Sequence, residues 1–166
     1  LEGGRSIAAR IRRLVDAGIP VMGHIGLTPQ LAGGSFGVQG QDVASALAIV
    51  ADARAVAEAG AYAMVVEAVP SELGRIVTEA VPIPTIGIAA GPDCDGQTLV
   101  STDLLGIESK LFLSFAKRYA ELGREIEAAF AAYVEEVRAG VFPGPEQNYE
   151  MPAEAAESLR AALASA

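Results

Sequence analysis

The segment Ala61-Tyr62-Ala63-Met64-Val65-Val66 is a nearly continuous apolar run that stops at Glu67. Parallel strands that are buried on both faces have continuous apolar sequences of this kind. Two similar runs occur elsewhere in the chain: residues 19–23 stop at His24, and residues 83–88 lead into a loop rich in glycine and proline. In barrels and open α/β sheets, functional side chains lie just beyond the carboxyl ends of such strands. The three runs therefore predict parallel strands, with candidate site residues at their ends.

Segments with helical periodicity separate the three runs. We expect helices over residues 5–17, between Asp42 and Gly60, and from Pro70 to just before Val81. Four residues of the second helix are expected on or near its core face: Val43, Leu47, Val50 and Val56.

Strand–helix alternation of this kind implies parallel strands joined by right-handed crossovers. A doubly wound sheet and a (β/α)8 barrel both satisfy it, and no Gly-x-Gly-x-x-Gly follows the first strand to indicate a dinucleotide site. Four β/α units would fill about half of a typical barrel of about 250 residues. We expect one domain over residues 1–166, with helix from about 109 to 139 broken near Gly123 and a peripheral C-terminal helix within 150–166.

Composition limits the classes of partner. The net charge of −9 argues against a surface for nucleic acid or for an anionic membrane. No apolar stretch approaches the roughly 20 residues that span a bilayer, and no signal peptide is recognised. The lone Cys94 excludes an intramolecular disulfide and a cysteine-based zinc site. The single cysteine also fits a reducing cytosol, so we expect a cytoplasmic protein.

Several motifs, in order and at matching spacing over about residues 1–149, resemble the ketopantoate hydroxymethyltransferase family. These motifs are Leu1-Glu2-Gly3-Gly4, Gly18-Ile19-Pro20-Val21-Met22-Gly23-His24-Ile25-Gly26-Leu27-Thr28-Pro29-Gln30, Val38-Gln39-Gly40, Val66-Glu67-Ala68-Val69-Pro70, Ile83-Pro84-Thr85-Ile86-Gly87-Ile88, Gly91-Pro92, Cys94-Asp95-Gly96-Gln97 and Gly140-Val141-Phe142-Pro143.

The resemblance implies a (β/α)8 barrel (TIM barrel) of the phosphoenolpyruvate-binding type, of which this chain would be the second half, from the end of strand four onward. It implies a homo-oligomer, often a decamer. The implied reaction moves a hydroxymethyl group from methylene-tetrahydrofolate to 3-methyl-2-oxobutanoate, giving ketopantoate for pantothenate biosynthesis, with Mg²⁺. Two aspartate metal ligands and a substrate-binding lysine of the family would belong to the other half.

The resemblance also implies roles for particular residues. Glu67 matches the general base that removes the C3 proton, although a glutamate there could instead cap the helix that opens at Pro70. Glu2 matches a metal-site glutamate, directly or through water, although it could be a frayed terminal charge. His24 matches an active-site histidine that contacts substrate or holds a carboxylate, although lone histidines are more often structural.

The loop after the third strand run resembles a substrate- or cofactor-binding loop of the family. Within it, Gly87 and Gly91 are the candidate contacts, although turn chemistry alone would also call for glycines. Ala89 departs from the glycine that is common there, and a Cβ could crowd the loop or oppose a positive φ. Residues 31–37 depart as well, since this loop is about two residues shorter than usual, which affects how the site closes over substrate.

Two other functions remain open from the sequence. The altered loop at residues 31–37 is compatible with a lyase or aldolase of the same barrel superfamily acting on another 2-oxo acid. A non-catalytic half-barrel that needs a partner is the third interpretation, because half a barrel leaves two sheet edges and an apolar face uncovered.

Overall fold

A computed structural model describes residues 1–30, 37–107 and 113–165. Its centre is a four-stranded parallel sheet in the order β1-β2-β3-β4. The strands are β1 (Met22–Gly26), β2 (Ala63–Glu67), β3 (Thr85–Ile88) and β4 (Gly96–Gln97). The predicted α/β class with parallel strands is confirmed, and the sheet is consistent with part of a barrel.

Helices lie before, between and after the strands. They are α1 (Ala8–Asp16), α2 (Val43–Glu58), α3 (Ser71–Ala80), α4 (Ser101–Leu104), α5 (Leu122–Arg138) and α6 (Ala153–Ala164), with short 3-10 turns at Arg5–Ile7 and Pro145–Gln147. The predicted cap is present, because the Asp42 carboxylate accepts a hydrogen bond from the backbone N–H of Ser45 (3.0 Å). No helix in the described part of the chain is long and apolar enough to cross a membrane.

The core lies between one face of the sheet and helices α1 to α3. Fully buried side chains from both layers meet there: Ile11, Ile25, Val56, Met64, Val66 and Val77. Side chains alternate between the two faces of a strand, so every second residue of β1 and β2 faces this layer of helices. The intervening residues occupy the opposite face, where His24, Val65 and Glu67 are only partly buried.

The expected core face of α2 is partly wrong. Val56 is fully buried, but Val43 is 78% exposed and Leu47 is 64% exposed. The helix is rich in alanine and valine around its whole circumference, so its apolar pattern does not define a single stripe. The face that packs carries Ala53 with Val56, and Val43 and Leu47 lie on the other side.

The expected helix over residues 109–139 is also partly wrong. Helix α5 begins only at Leu122, and residues 113–121 form turns and irregular structure; residues 108–112 lie outside the described part. The backbone N–H of Gly123 donates to the carbonyl of Gly106 (2.9 Å), which ties the start of α5 to the end of α4. Gly123 is therefore not a break but a close approach, since a Cβ there would overlap the carbonyl oxygen of Ile107.

Candidate functional site

Pairing of the first two strands brings His24 and Glu67 to one face of the sheet. His24 is in register with Val65, two residues before Glu67, so the two polar side chains point to the same side. This is the face opposite helices α1 to α3. Glu67 is the last residue of β2, as the sequence predicts.

The position expected for His24 at a strand end is wrong. β1 continues through Ile25 to Gly26, so His24 is the middle residue of the strand. The error arises because a polar residue after an apolar run suggests a strand end, whereas here the strand continues with Ile25 fully in the core. The His24 ring lies on the face of the sheet opposite helices α1 to α3, where it is only partly buried.

The imidazole and the carboxylate are in contact. Nε2 of His24 lies 2.9 Å from Oε2 of Glu67, and the two side chains are 18% and 17% exposed. Nε2 nevertheless forms no hydrogen bond to any described residue, because the carboxylate oxygen lies off the direction of the ring N–H. A buried ring nitrogen without an aligned partner is costly. Nε2 is therefore free to bond a ligand placed beside Glu67.

Glu2 reaches the same place from the start of the chain. Its neighbour Gly3 donates its backbone N–H to the carbonyl of His24 (3.0 Å), which lays this segment against β1. The Glu2 side chain is 13% exposed, with Oε1 3.9 Å from Nδ1 of His24. Its Oε2 accepts the backbone N–H of Gln30 (2.9 Å). The alternative of a frayed terminal charge is therefore wrong, since the carboxylate is held from two sides.

The backbone around Glu67 is fixed by the ends of all three long strands. The carbonyl of Glu67 accepts the N–H of Leu27 (2.8 Å), and the N–H of the following residue, Ala68, donates to Ile88 (2.9 Å). Ala68 adopts a left-handed conformation (φ 51°), which a non-glycine residue takes only when its surroundings impose it. Helix α3 has Pro70 at its N-cap and no side-chain cap, so the alternative role of Glu67 as a helix cap is wrong.

Sequence reasoning missed Gly26 as a site residue. It has a φ of +84°, and a Cβ there would overlap the backbone carbonyl oxygen of Glu67. Only glycine combines this φ with such close approach to a neighbouring strand. The signal in the sequence was a glycine two residues after His24, directly at the end of β1.

The two glycines expected to contact substrate have clear packing reasons. A Cβ at Gly87 would press on Sγ of Cys94 at 3.1 Å, and one at Gly91, whose φ is +80°, would overlap Ser71. Their role in ligand contact stays a prediction. Between them, Ala89 has a φ of 53°, so this chain adopts the positive φ despite its Cβ. Most of the altered loop, residues 31–36, lies outside the described residues.

Magnesium fits this site in donor chemistry but not in donor number. Mg²⁺ prefers oxygen ligands and takes one or two carboxylates together with waters and substrate oxygens. The Glu2 carboxylate is such a donor. Among the described residues, however, no group of three His, Cys, Asp or Glu side chains is arranged to hold a metal ion. The part of the chain that is described therefore offers a ligand, not a complete metal site.

A cavity of about 550 Å³ lies beside the ends of β3 and β4. Its lining includes Ala89, Gln97, Phe115 and Tyr119. The Gln97 side chain crosses to the carbonyl of Gly91 (3.0 Å) and so braces the loop after β3. The cavity is consequently shaped by the same loop that resembles the family's binding loop.

Comparison with known proteins agrees with this arrangement. A family model described as ketopantoate hydroxymethyltransferase matches residues 1–145. The chain is 50% identical over 153 residues to a 3-methyl-2-oxobutanoate hydroxymethyltransferase of Syntrophobacter fumaroxidans (91% of this chain, 54% of that protein). Enzymes of the same name from Paracoccus denitrificans (55% over 151 residues; 90% and 55%) and Enterococcus faecalis (48% over 161; 96% and 58%) are similarly close.

The chain spans about half the length of the curated relatives that it matches. The match nevertheless covers nearly all of this chain, and it includes Glu2, His24 and Glu67 within the residues matched by the family model. The chain belongs to the ketopantoate hydroxymethyltransferase family.

Proposed function

We propose that the protein to which this chain contributes transfers a hydroxymethyl group from methylene-tetrahydrofolate to 3-methyl-2-oxobutanoate, giving ketopantoate for pantothenate biosynthesis. One observation carries the proposal: Glu67 ends β2 in contact with His24, on the open face of a parallel sheet. In barrels, catalytic side chains lie at the carboxyl ends of the strands, which is the position of Glu67. The names of the relatives supply the reaction class.

The reaction begins with loss of a proton from C3 of the 2-oxo acid. Glu67 takes this proton, and the electron pair left on C3 forms the new bond to the one-carbon unit, whose two bonds to tetrahydrofolate nitrogens break. Water supplies the hydroxyl group, and its other proton and the proton from C3 end on the two nitrogens. Its carboxylate suits this task because it is largely shielded from water and fixed through its backbone. An aligned base avoids the entropic cost of finding the proton in solution.

His24 orients the substrate and the base. Its Nε2 is buried without an aligned partner and lies beside Glu67, so it is placed to bond a substrate oxygen. Its Nδ1 faces Glu2, with 3.9 Å between Nδ1 and Oε1 of the carboxylate. A carbonyl or carboxylate oxygen of a substrate accepts hydrogen bonds, so in this role Nε2 carries the N–H.

Glu2 is the residue through which this chain would hold Mg²⁺, with other ligands coming from beyond the described residues. When bound, Mg²⁺ supplies a positive charge that stabilises the enolate of a 2-oxo acid. The bond from Gln30 to Oε2 leaves Oε1 as the oxygen directed toward His24. Glu2 thus links the metal-binding side of the site to the base.

Catalysis in this proposal needs the rest of a barrel. The half-length match and the partly exposed sheet face around Val65 and Ile86 favour completion by a further four β/α units. This observation also supports the second candidate, a half-barrel that is inactive until a partner covers it. The complete protein is proposed to be a cytoplasmic homo-oligomer, a decamer by family resemblance, that acts on small molecules and binds neither nucleic acid nor membrane.

The test is product formation by the gene product that contains this chain. It is supplied with Mg²⁺, methylene-tetrahydrofolate and one of a panel of 2-oxo acids at a time. The hydroxymethylated product of each acid is measured, which is ketopantoate for 3-methyl-2-oxobutanoate. Glu67→Gln should lower the rate at least 100-fold. Glu72→Gln, a matched change on the surface of α3 that removes a partner of Arg75, should leave it unchanged.

Two results would overturn the assignment. Product formation that requires no folate, with a different 2-oxo acid preferred, would replace it with the lyase or aldolase interpretation. Full activity of Glu67→Gln would remove Glu67 from the mechanism.

A further inference from the structure

Asp52 lies on α2, outside the group formed by Glu2, His24 and Glu67, and is bonded to the segment that carries Glu2. Its Oδ1 accepts the backbone N–H of Arg5 (2.9 Å) and the Nε–H of the same arginine (2.8 Å). The Asp52 side chain is 29% exposed. One carboxylate oxygen on a neighbouring helix therefore holds both backbone and side chain of a residue three positions after Glu2.

The position of Arg5 gives this contact a second meaning. Arg5 is the first residue of the 3-10 turn that leads into α1, and neither this turn nor α1 has a side-chain cap of its own. The first N–H groups of a helical segment lack partners and attract negative charge. Asp52 supplies the missing cap from another helix.

Gly4 shows how closely the two segments meet. A Cβ at Gly4 would coincide with the carboxyl group of Asp52, and Gly4 itself is buried. Gly3, with a φ of +121°, is also buried. Two consecutive glycines have the greatest backbone freedom of any dipeptide. The segment between Glu2 and Arg5 therefore depends on outside contacts for its conformation.

These contacts attach the segment at four points. The backbone nitrogen of Leu1 is bonded to Met22 and that of Gly3 to His24, both on β1, the Glu2 carboxylate to Gln30, and Arg5 to Asp52. The last contact is the one that holds the chain between Gly4 and the buried Ile7 against α2. We infer that Asp52 is a positioning residue: it fixes the Gly3-Gly4 segment and thereby keeps the Glu2 carboxylate beside His24. The importance of this for catalysis rests on the proposed function, but the positioning itself does not.

The test measures backbone hydrogen exchange by NMR in the full chain. In Asp52→Ala, the amides of Gly3 and Gln30 should exchange at least tenfold faster than in the unmodified protein. The amide of Met64, which donates to Pro84 in the centre of the sheet, should not change. Asp52→Asn keeps an oxygen acceptor for Arg5 and should stay within threefold.

The ring ¹H–¹⁵N signals of His24 provide a second readout. In Asp52→Ala they should move in the same direction as in Glu2→Gln, because both changes remove the carboxylate from Nδ1. Asp16→Ala is the matched control, since Asp16 is an exposed aspartate at the end of α1. It should move neither the His24 signals nor the Gly3 and Gln30 amides.

If Asp52→Ala does not fold, Gly4→Ala decides the question, because its Cβ displaces the Asp52 carboxyl group without removing it. It should accelerate the same two amides. Unchanged exchange at Gly3 and Gln30, or acceleration of Met64 to the same extent, would overturn the inference. These measurements use no substrate, so an inactive protein would contradict the proposed reaction while leaving this result intact.

Discussion

Replacement of Gly26 by alanine should disturb the fold and the site together. At φ +84° an L-residue is strained by about 1–2 kcal/mol, of which roughly 0.4–1 kcal/mol is recovered from the lower entropy of the unfolded chain. The new Cβ would also overlap the carbonyl oxygen of Glu67 and lie 3.0 Å from Cγ1 of Val69. Overpacking of this kind costs a further 1–3 kcal/mol or so, since backbone must move. We expect Gly26→Ala to lower the free energy of unfolding by about 2–4 kcal/mol.

Gly18→Ala is the matched control. Gly18 has nearly the same φ, +79°, but a Cβ there would have nothing within 4 Å. It carries the conformational cost alone, about 1 kcal/mol. Urea unfolding followed by circular dichroism gives both values, with the slope checking that the transition is comparable. Equal destabilisation by the two substitutions would refute the argument that Gly26 is required by its contact with Glu67.

Two further substitutions and one pH titration test the surrounding structure. Asp95→Ala removes the acceptor of the backbone N–H (2.8 Å) and hydroxyl (3.1 Å) of the fully buried Thr85, so urea unfolding should show a loss of about 1–3 kcal/mol; no loss would contradict that role. Hydrogen bonds from Ser45, first from its hydroxyl, lower the pKa of Asp42 below its ordinary value of 3.8. Its support of α2 should therefore be complete above pH 3.8 and decline as the pH falls below it, and an NMR titration midpoint at or above 3.8 would disprove this. Ala89→Gly should raise the free energy of unfolding by up to about 1 kcal/mol, because glycine adopts a positive φ without strain. A clear fall in the midpoint temperature of thermal unfolding would show that Ala89 is not strained at this φ.

The sequence predicts β1, β2 and β3 because their apolar runs are short, β-rich and end at polar, glycine or proline residues. It does not predict β4, which has only two residues, Gly96–Gln97, and no apolar run. β2 follows the run that ends at Glu67, and both helix α3 and the Asp42 cap have local signals. The end of β1 lies two residues beyond His24, although the sequence predicts the end at His24. The error arises because β1 is buried on only one face, so a partly buried histidine within the strand looks like the polar residue that follows a strand. Val43 and Leu47 were misassigned since a helix that is apolar all round does not reveal which face packs.

Other features depend on contacts between distant parts of the chain. The bond from Arg5 to Asp52 joins residues 47 positions apart, and no local pattern announces it. The same is true of the hydrogen bond from Gly123 to Gly106 at the start of α5. Periodicity alone extends the predicted helix toward the N-terminus beyond this point. The grouping of Glu2 with His24 was implied by family resemblance, and only the structure supplies its physical basis, the bond from Gly3 to β1.

The central claim, that Glu67 removes the C3 proton, is tested most directly by deuterium uptake. 3-Methyl-2-oxobutanoate is incubated in D₂O with the gene product and Mg²⁺ but without folate, and loss of the C3 proton signal is followed by NMR. The account predicts catalysed exchange that falls at least 100-fold in Glu67→Gln and is unchanged in Glu72→Gln. Exchange at the unmodified rate in Glu67→Gln would contradict it.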